Sequence, residues 1–134
     1  MADLYRNVGE MNYDGLITDL LPAVIVRGAT VRKLATAATL KRGTILAKSG
    51  GSAGDGKLVI LGTTAASNET LTPFAVLCDD IAVGTSEDVV TSVYMSGCFD
   101  LSKCTVADSY EITDADIDAL RAYGIMFKVA EAAN

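Results

Sequence analysis

Residues 43–62, GTILAKSGGSAGDGKLVILG, set two short apolar runs on either side of a polar stretch dense in glycine. Within that stretch Gly51 is followed, after four residues, by Gly56 and Lys57, which is most of the phosphate-cradling pattern G-x-x-x-x-G-K-[S/T]. The pattern needs a hydroxyl in its eighth position to hold Mg²⁺, and Leu58 stands there. It also needs a strand that runs into a helix, whereas KLVILG is a short apolar run closed by glycine, the signature of a strand. The nucleotide reading is therefore set aside in favour of a hairpin. GTILAKS and KLVIL are its strands, and SGGSAGDG (residues 49–56) is a mobile surface loop turned to solvent.

The texture on both sides of the hairpin is the same: short β-prone runs broken by turns. AVIVRGATV is rich in β-branched residues. After Pro73, PFAVLCDD puts Phe74, Val76 and Cys78 on one face and Ala75 and Leu77 on the other, so the strand is expected to be buried on two sides. DVVTSVYMSG alternates Val89, Thr91, Val93 and Met95 against the more polar Val90, Ser92, Tyr94 and Ser96. One helix interrupts the strands. Thr113 with Asp116 approximates a capping box, Asp114, Asp116 and Asp118 sit at the positive end of the helix dipole, and Gly124 supplies a stop. The helix is about ten residues long, so Ile117 and Leu120 must hold it by packing. GIMFKV then reads as a last strand with Ile125, Phe127 and Val129 facing one way.

Composition narrows the function classes. The chain has 134 residues, fits one domain, and is 50% apolar and 21% charged, which is globular. No apolar run approaches the roughly 18 residues of a membrane span, and the first residues show neither a basic nor an apolar signal region, so synthesis in a cytoplasm is expected. The net charge is −6 and the basic residues are scattered, which argues against a nucleic-acid partner. Histidine is absent, and with it go the commonest general base, the common triads and most zinc sites. Cys78, Cys98 and Cys104 form no C-x-x-C pair and are read as small buried hydrophobes. DADID alternates acids as a calcium loop does, but Ala119 occupies the glycine position and Ile125 the bidentate position, so capping is the better account. Asp79 and Asp80 are consecutive, point to opposite faces, and read as an exposed strand end. No catalytic residue, cofactor or metal site is expected.

Residues 1–21 stand apart. They mix charges, Asn, Gly and two tyrosines without a sustained period, and Pro22 closes them. The expected organisation is a flexible N-terminal arm over 1–21 and a β-rich domain over 22–134. Leu4, Tyr5, Tyr13, Leu16 and Ile17 are the candidate binding anchors of that arm, because such side chains are costly in a mere tail.

Five segments in order, LKRGTIL (Leu40 to Leu46), GKLVIL, PFAVLCDD, VYMSGCF and LRAYGI (Leu120 to Ile125), resemble the lambda-type head decoration, or capsid-stabilising, protein family of tailed bacteriophages. The likeness spans about residues 23–129, while the N-terminal arm and the tail past Phe127 depart from it. The resemblance implies a mostly β domain of the β-clip or β-tulip type with a short helix. It also implies a homotrimer on the outer capsid surface of the virion, at threefold positions, locking neighbouring major capsid protein subunits after expansion of the shell. In that setting the arm adds as a strand to the capsid protein, a mode that suits a segment with anchors and no core of its own. The alternative is a small β-barrel binding module for a host-surface or carbohydrate ligand.

Overall fold

A computed structural model describes residues 15–19 and 22–128. Their elements run β1 (Ile17–Asp19), β2 (Ile25–Val31), β3 (Ala38–Leu40), β4 (Ile45–Gly50), β5 (Leu58–Ile60), β6 (Thr70–Leu77), β7 (Ile81–Val83), β8 (Val89–Asp100), a 3-10 turn (Leu101–Lys103), α1 (Asp114–Ala122) and β9 (Ile125–Lys128). The hairpin read from residues 43–62 is β4 and β5, antiparallel, with Leu46 opposite Ile60 and Lys48 opposite Leu58. Lys57 leads into a strand, and its ammonium pairs with Asp88 at 2.6 Å.

Five strands close on themselves. Antiparallel pairings link β2 to β8, β8 to β6, β6 to β4 and β4 to β5, and β5 meets β2 in parallel register at one pair, Val31 with Leu58. Val31, Leu46, Leu58, Ala75, Leu77 and Val93 form one core, joined by Leu40 and Val83 from the small β3–β7 sheet. A second core lies across the strand wall. There Ile45, Ala47, Val59, Val76 and Tyr94 pack with Leu16, Phe99, Leu120 and Ile125. Neighbouring residues of a strand point to opposite faces, so β4 and β6 feed both cores at once. That is why β6 carries an unbroken apolar run: Val76 serves one core, Ala75 and Leu77 the other.

β8 joins the two layers. Its first part, Val89–Ser96, belongs to the barrel; Gly97–Asp100 instead pairs with β1 and, in parallel, with β9. Gly97 makes the turn between them. Its φ is +145°, and a Cβ there would lie 2.9 Å from Phe99 Cζ and 3.3 Å from Val24 Cγ2, so only glycine fits without displacement.

The helix forms as its sequence signals require. The Thr113 hydroxyl accepts from the Asp116 N–H and the Asp116 carboxylate accepts from the Thr113 N–H, which satisfies two donors that would otherwise be orphaned. Leu120 is fully buried beneath it.

Four features differ from the sequence expectations. β6 starts at Thr70, so Pro73 lies inside the strand. It is tolerated because this half of β6 has only β4 as a neighbour, and a register shift falls between Leu46 and Ala47 opposite it. The second face of β8 is less polar in effect than in composition: Tyr94 is buried, with the Arg42 guanidinium donating to its hydroxyl and lying 5.4 Å over its ring. Third, loop 49–56 is at the surface but tied down. The Ala53 N–H donates to the Asn68 carbonyl at 2.9 Å, the Gly56 N–H to Ser49 at 3.0 Å, and Asp55 is clamped by Arg32. The fourth concerns the arm. Residues 15–19, assigned to it from sequence, are part of the folded body, because β1 pairs with the end of β8 and Leu16 fills a pocket in the second core.

Candidate functional site

The chain enters the body at a well-seated root. Leu16 is 1% exposed. Gly43 makes room for it: φ there is +95°, and a Cβ would approach Leu16 Cδ1 to 3.4 Å and the Lys103 carbonyl oxygen to 2.8 Å. The Asp100 N–H donates to the Leu16 carbonyl at 2.7 Å. Ile17 sits opposite Phe99 and packs half-buried on the same core. Around them the Thr18 hydroxyl meets Cys98 Sγ at 3.3 Å, and Lys128 reaches Asp19 at 3.3 Å. Leu16 and Ile17, two of the five candidate arm anchors, therefore pack against their own domain. Leu4, Tyr5 and Tyr13 lie outside the described residues.

A second surface was not singled out from the sequence. Ile25 and Val26, at 54% and 49% exposure, lead β2, and Val24, Tyr123 and Met126 are also large apolar side chains open to solvent. Tyr123, at the end of α1, meets the Phe74 ring edge-on at 5.6 Å. A groove of about 380 Å³ runs along β2, bounded by Arg27, Gly28, Lys48, Lys57, Phe74 and Met95. AVIV was visible as a strand, but an apolar run has the same composition whether it is buried or left open.

Charge near the groove is organised by Arg32. Its guanidinium donates to Asp55 at 2.9 and 3.1 Å and to Glu69 at 2.6 Å. Arg32 holds the Asp55 carboxyl down to about 2, chiefly through these hydrogen bonds. Glu69 is also lowered to about 2, first by the Ala66 N–H, then by the Ser49 hydroxyl and Arg32. Arg32 itself is raised. The arrangement ties the end of β2, loop 49–56 and the start of β6 together through one guanidinium shared by two carboxylates.

Elsewhere the reactive side chains are quiescent. Burial, with a smaller contribution from Asp100, pushes the Cys104 thiol up to about 12, so it is protonated at neutral pH and a poor nucleophile. Burial likewise raises Tyr94, and the hydrogen bond to Asp116 raises Tyr110. Among the described residues no group of three or more Cys, Asp or Glu is placed to hold a metal ion, and no helix is long and apolar enough to cross a membrane. The three cysteines are unpaired, with Cys98 buried and Cys78 and Cys104 half-buried. Asp79 and Asp80 are exposed, and the Asp80 carboxylate accepts the Arg42 N–H at 2.6 Å.

Comparison with protein-family models and with curated proteins yields no match to this chain.

Proposed function

We propose that this chain is a structural protein of a tailed-bacteriophage head, a homotrimer that binds the outside of the expanded capsid at threefold positions and cements neighbouring major capsid subunits. The resembling segments support the reading through their places in the fold. LKRGTIL runs from the end of β3 into β4, PFAVLCDD is the doubly buried part of β6 with its exit, VYMSGCF carries β8 through the Gly97 bend, and LRAYGI joins α1 to β9.

The observation that carries the proposal is the root. Leu16 is sealed in the core and β1 is hydrogen-bonded along β8, so any tension on residues 1–14 passes directly into the strand shared by both layers. A segment that grips a shell from such a fixed point needs no catalytic equipment. It acts by mass action, because a ligand that binds only the expanded shell stabilises it by RT ln(1 + [L]/Kd). Three such segments on one trimer raise one another's effective concentration and turn weak contacts into a durable clamp.

Emptied, expanded capsids provide the test. The full chain should bind them and protect them from heat and chelators, and a variant lacking residues 2–14 should lose binding while light scattering still reports a trimer. Binding that survives the deletion would move the contact to the body. Heads equally robust without the protein, together with capture of a glycan or cell-envelope fraction, would transfer the assignment to a host-surface binding module.

A further inference from the structure

The barrel is closed on paper by the β2–β5 pairing, but that pairing is a single residue long. Val31 faces Leu58, and the Arg32 N–H donates to the Leu58 carbonyl at 2.9 Å. Backbone groups alternate sides along a strand, so Thr30, Gly28 and Val26 share the side on which Arg32 meets β5. Ile25, Arg27 and Ala29 turn theirs toward β8. Among the described residues nothing pairs with β2 on its β5 side before the Thr30 carbonyl, which the Val31–Leu58 bridge gives to the Leu58 N–H. The backbone groups of Val26 and Gly28 and the Thr30 N–H thus offer an unpaired ladder with steps of about 7 Å. The sheet face at Gly28 is open as well, since a Cβ added there would meet nothing within 4 Å. This is the groove of about 380 Å³ described above.

Exposed strand edges are normally blunted by proline, by bulges or by inward charges, because they invite another strand. β2 has no proline, and its register shift lies at its start, between Ile25 and Val26. Both signs of charge line the groove, but those without an ion-pair partner are of one sign. Asp55 is occupied by Arg32 and Lys57 by Asp88. Arg27 and Lys48 have no ion-pair partner among the described residues, and Lys48 lies 5.0 Å over the Phe74 ring. Two uncompensated cations beside an apolar floor of Phe74 and Met95 stand out on a chain of net charge −6.

We propose that the β2 edge is a strand-accepting site that takes an extended acidic segment of a partner protein, completing the barrel between β2 and the Asp55–Leu58 segment. Backbone hydrogen bonds to Val26, Gly28 and Thr30 supply affinity, and carboxylates meeting Arg27 and Lys48 supply selectivity. The site is separate from residues 1–14 and stands whether or not those residues hold a capsid.

The probe is a capped octapeptide of alternating Glu and Val, with alternating Lys and Val as its control, titrated into the full-length ¹⁵N-labelled chain. Without peptide, the Val26, Gly28 and Thr30 amides should exchange with solvent at nearly unprotected rates, while those of Arg27 and Ala29 are protected. Protection of all five in dilute protein would overturn the proposal, since the edge would already be filled. On titration to about 1 mM, the acidic peptide should shift and protect those three amides and bind at least about tenfold tighter than the basic one. The Arg27→Glu, Lys48→Glu double variant, whose changes are both on exposed side chains, should reverse that preference without altering the melting temperature. Gly28→Pro, which removes a donor that β8 does not use, should weaken the acidic peptide by a similar factor. Equal binding of both peptides, shifts centred elsewhere, or no binding at that concentration would each refute the site.

Discussion

Leu16→Ala separates a structural root from a partner contact. The side chain is 1% exposed and packs in the core with Ile45, Phe99 and Leu120, so truncation removes buried methyl groups and leaves a cavity that β1 and Gly43, already in close contact, cannot collapse to fill. Leucine-to-alanine changes at such sites cost about 2–5 kcal/mol, and about 3 is expected here because the cavity is walled by strands on several sides. For a domain of this length each kcal/mol moves the melting temperature by roughly 3–5 °C, so the variant should melt about 10 °C below the parent. Ile17→Ala, half-buried on the same strand, should cost about half as much. If residues 2–14 serve only the shell contact, their deletion should leave the melting temperature within about 2 °C. Calorimetry with matched urea titrations provides the measurement. A Leu16→Ala protein as stable as its parent but deficient in shell attachment would refute the root and restore Leu16 as an exposed anchor.

Part of the acid sensitivity, chiefly that of Asp55, should trace to Arg32. The carboxyls of Asp55 and Glu69 are both lowered to about 2 in the folded chain, so their stabilisation is complete above the ordinary carboxylate range and is lost as pH falls from there toward 2. Arg32→Gln should melt lower than the parent at neutral pH and lose less on acidification, as melts between neutral and acidic pH would show; parallel curves would contradict the clamp. Thr113→Ala removes one half of the capping box and should cost about 1 kcal/mol in a urea titration, with helix content otherwise retained. Gly97→Ala forces a Cβ into a positive-φ bend against Phe99 and should destabilise by about 1–3 kcal/mol, far more than Gly28→Ala on the open edge. Cys104, with its thiol pushed up to about 12, should alkylate slowly at mildly alkaline pH in the native protein and quickly once unfolded.

The strands and the helix were legible wherever one local signal decided them. Leu58, standing where a hydroxyl was needed, removed the phosphate loop and left the hairpin. Thr113, Asp116 and Gly124 bounded α1, and two-faced apolarity marked β6 as doubly buried. What could not be read depended on neighbours in space. Pro73 looked like a strand boundary because its tolerance depends on β6 having no second partner over that half. Loop 49–56 looked mobile because its restraint comes from Arg32 and Glu69, remote in sequence. Leu16 and Ile17 read from sequence as apolar residues in a polar leader, and it is the pairing of β1 with Phe99 and Cys98 that places them on the body. The open half of β2 carried no mark at all, since missing hydrogen-bond partners have no residue type.

The two candidate binding surfaces meet on one strand, and this has a mechanical consequence. β8 pairs with β2 and β6 before Gly97 and with β1 and β9 after it. Residues 1–14 connect through β1 to its far part, while the strand-accepting edge belongs to the β2 that lines its near part. A pull on the root is resisted in shear by the β1–β8 bonds and by Leu16 in the second core, and it reaches the barrel along β8 past Gly97 and through the barrel residues that Leu16 packs on. Filling the β2–β5 seam would stiffen the near part of β8 against that pull, because a barrel closed by one residue pair can open along its seam and a barrel closed by a full ladder cannot. An occupied edge should therefore raise the force or temperature at which the root gives way, without touching the root itself. Melting of the Leu16→Ala variant with and without the acidic peptide reads this coupling directly. A gain larger than simple ligand linkage predicts at that peptide concentration would show that the surfaces cooperate through β8, and a gain equal to linkage would show that they act independently.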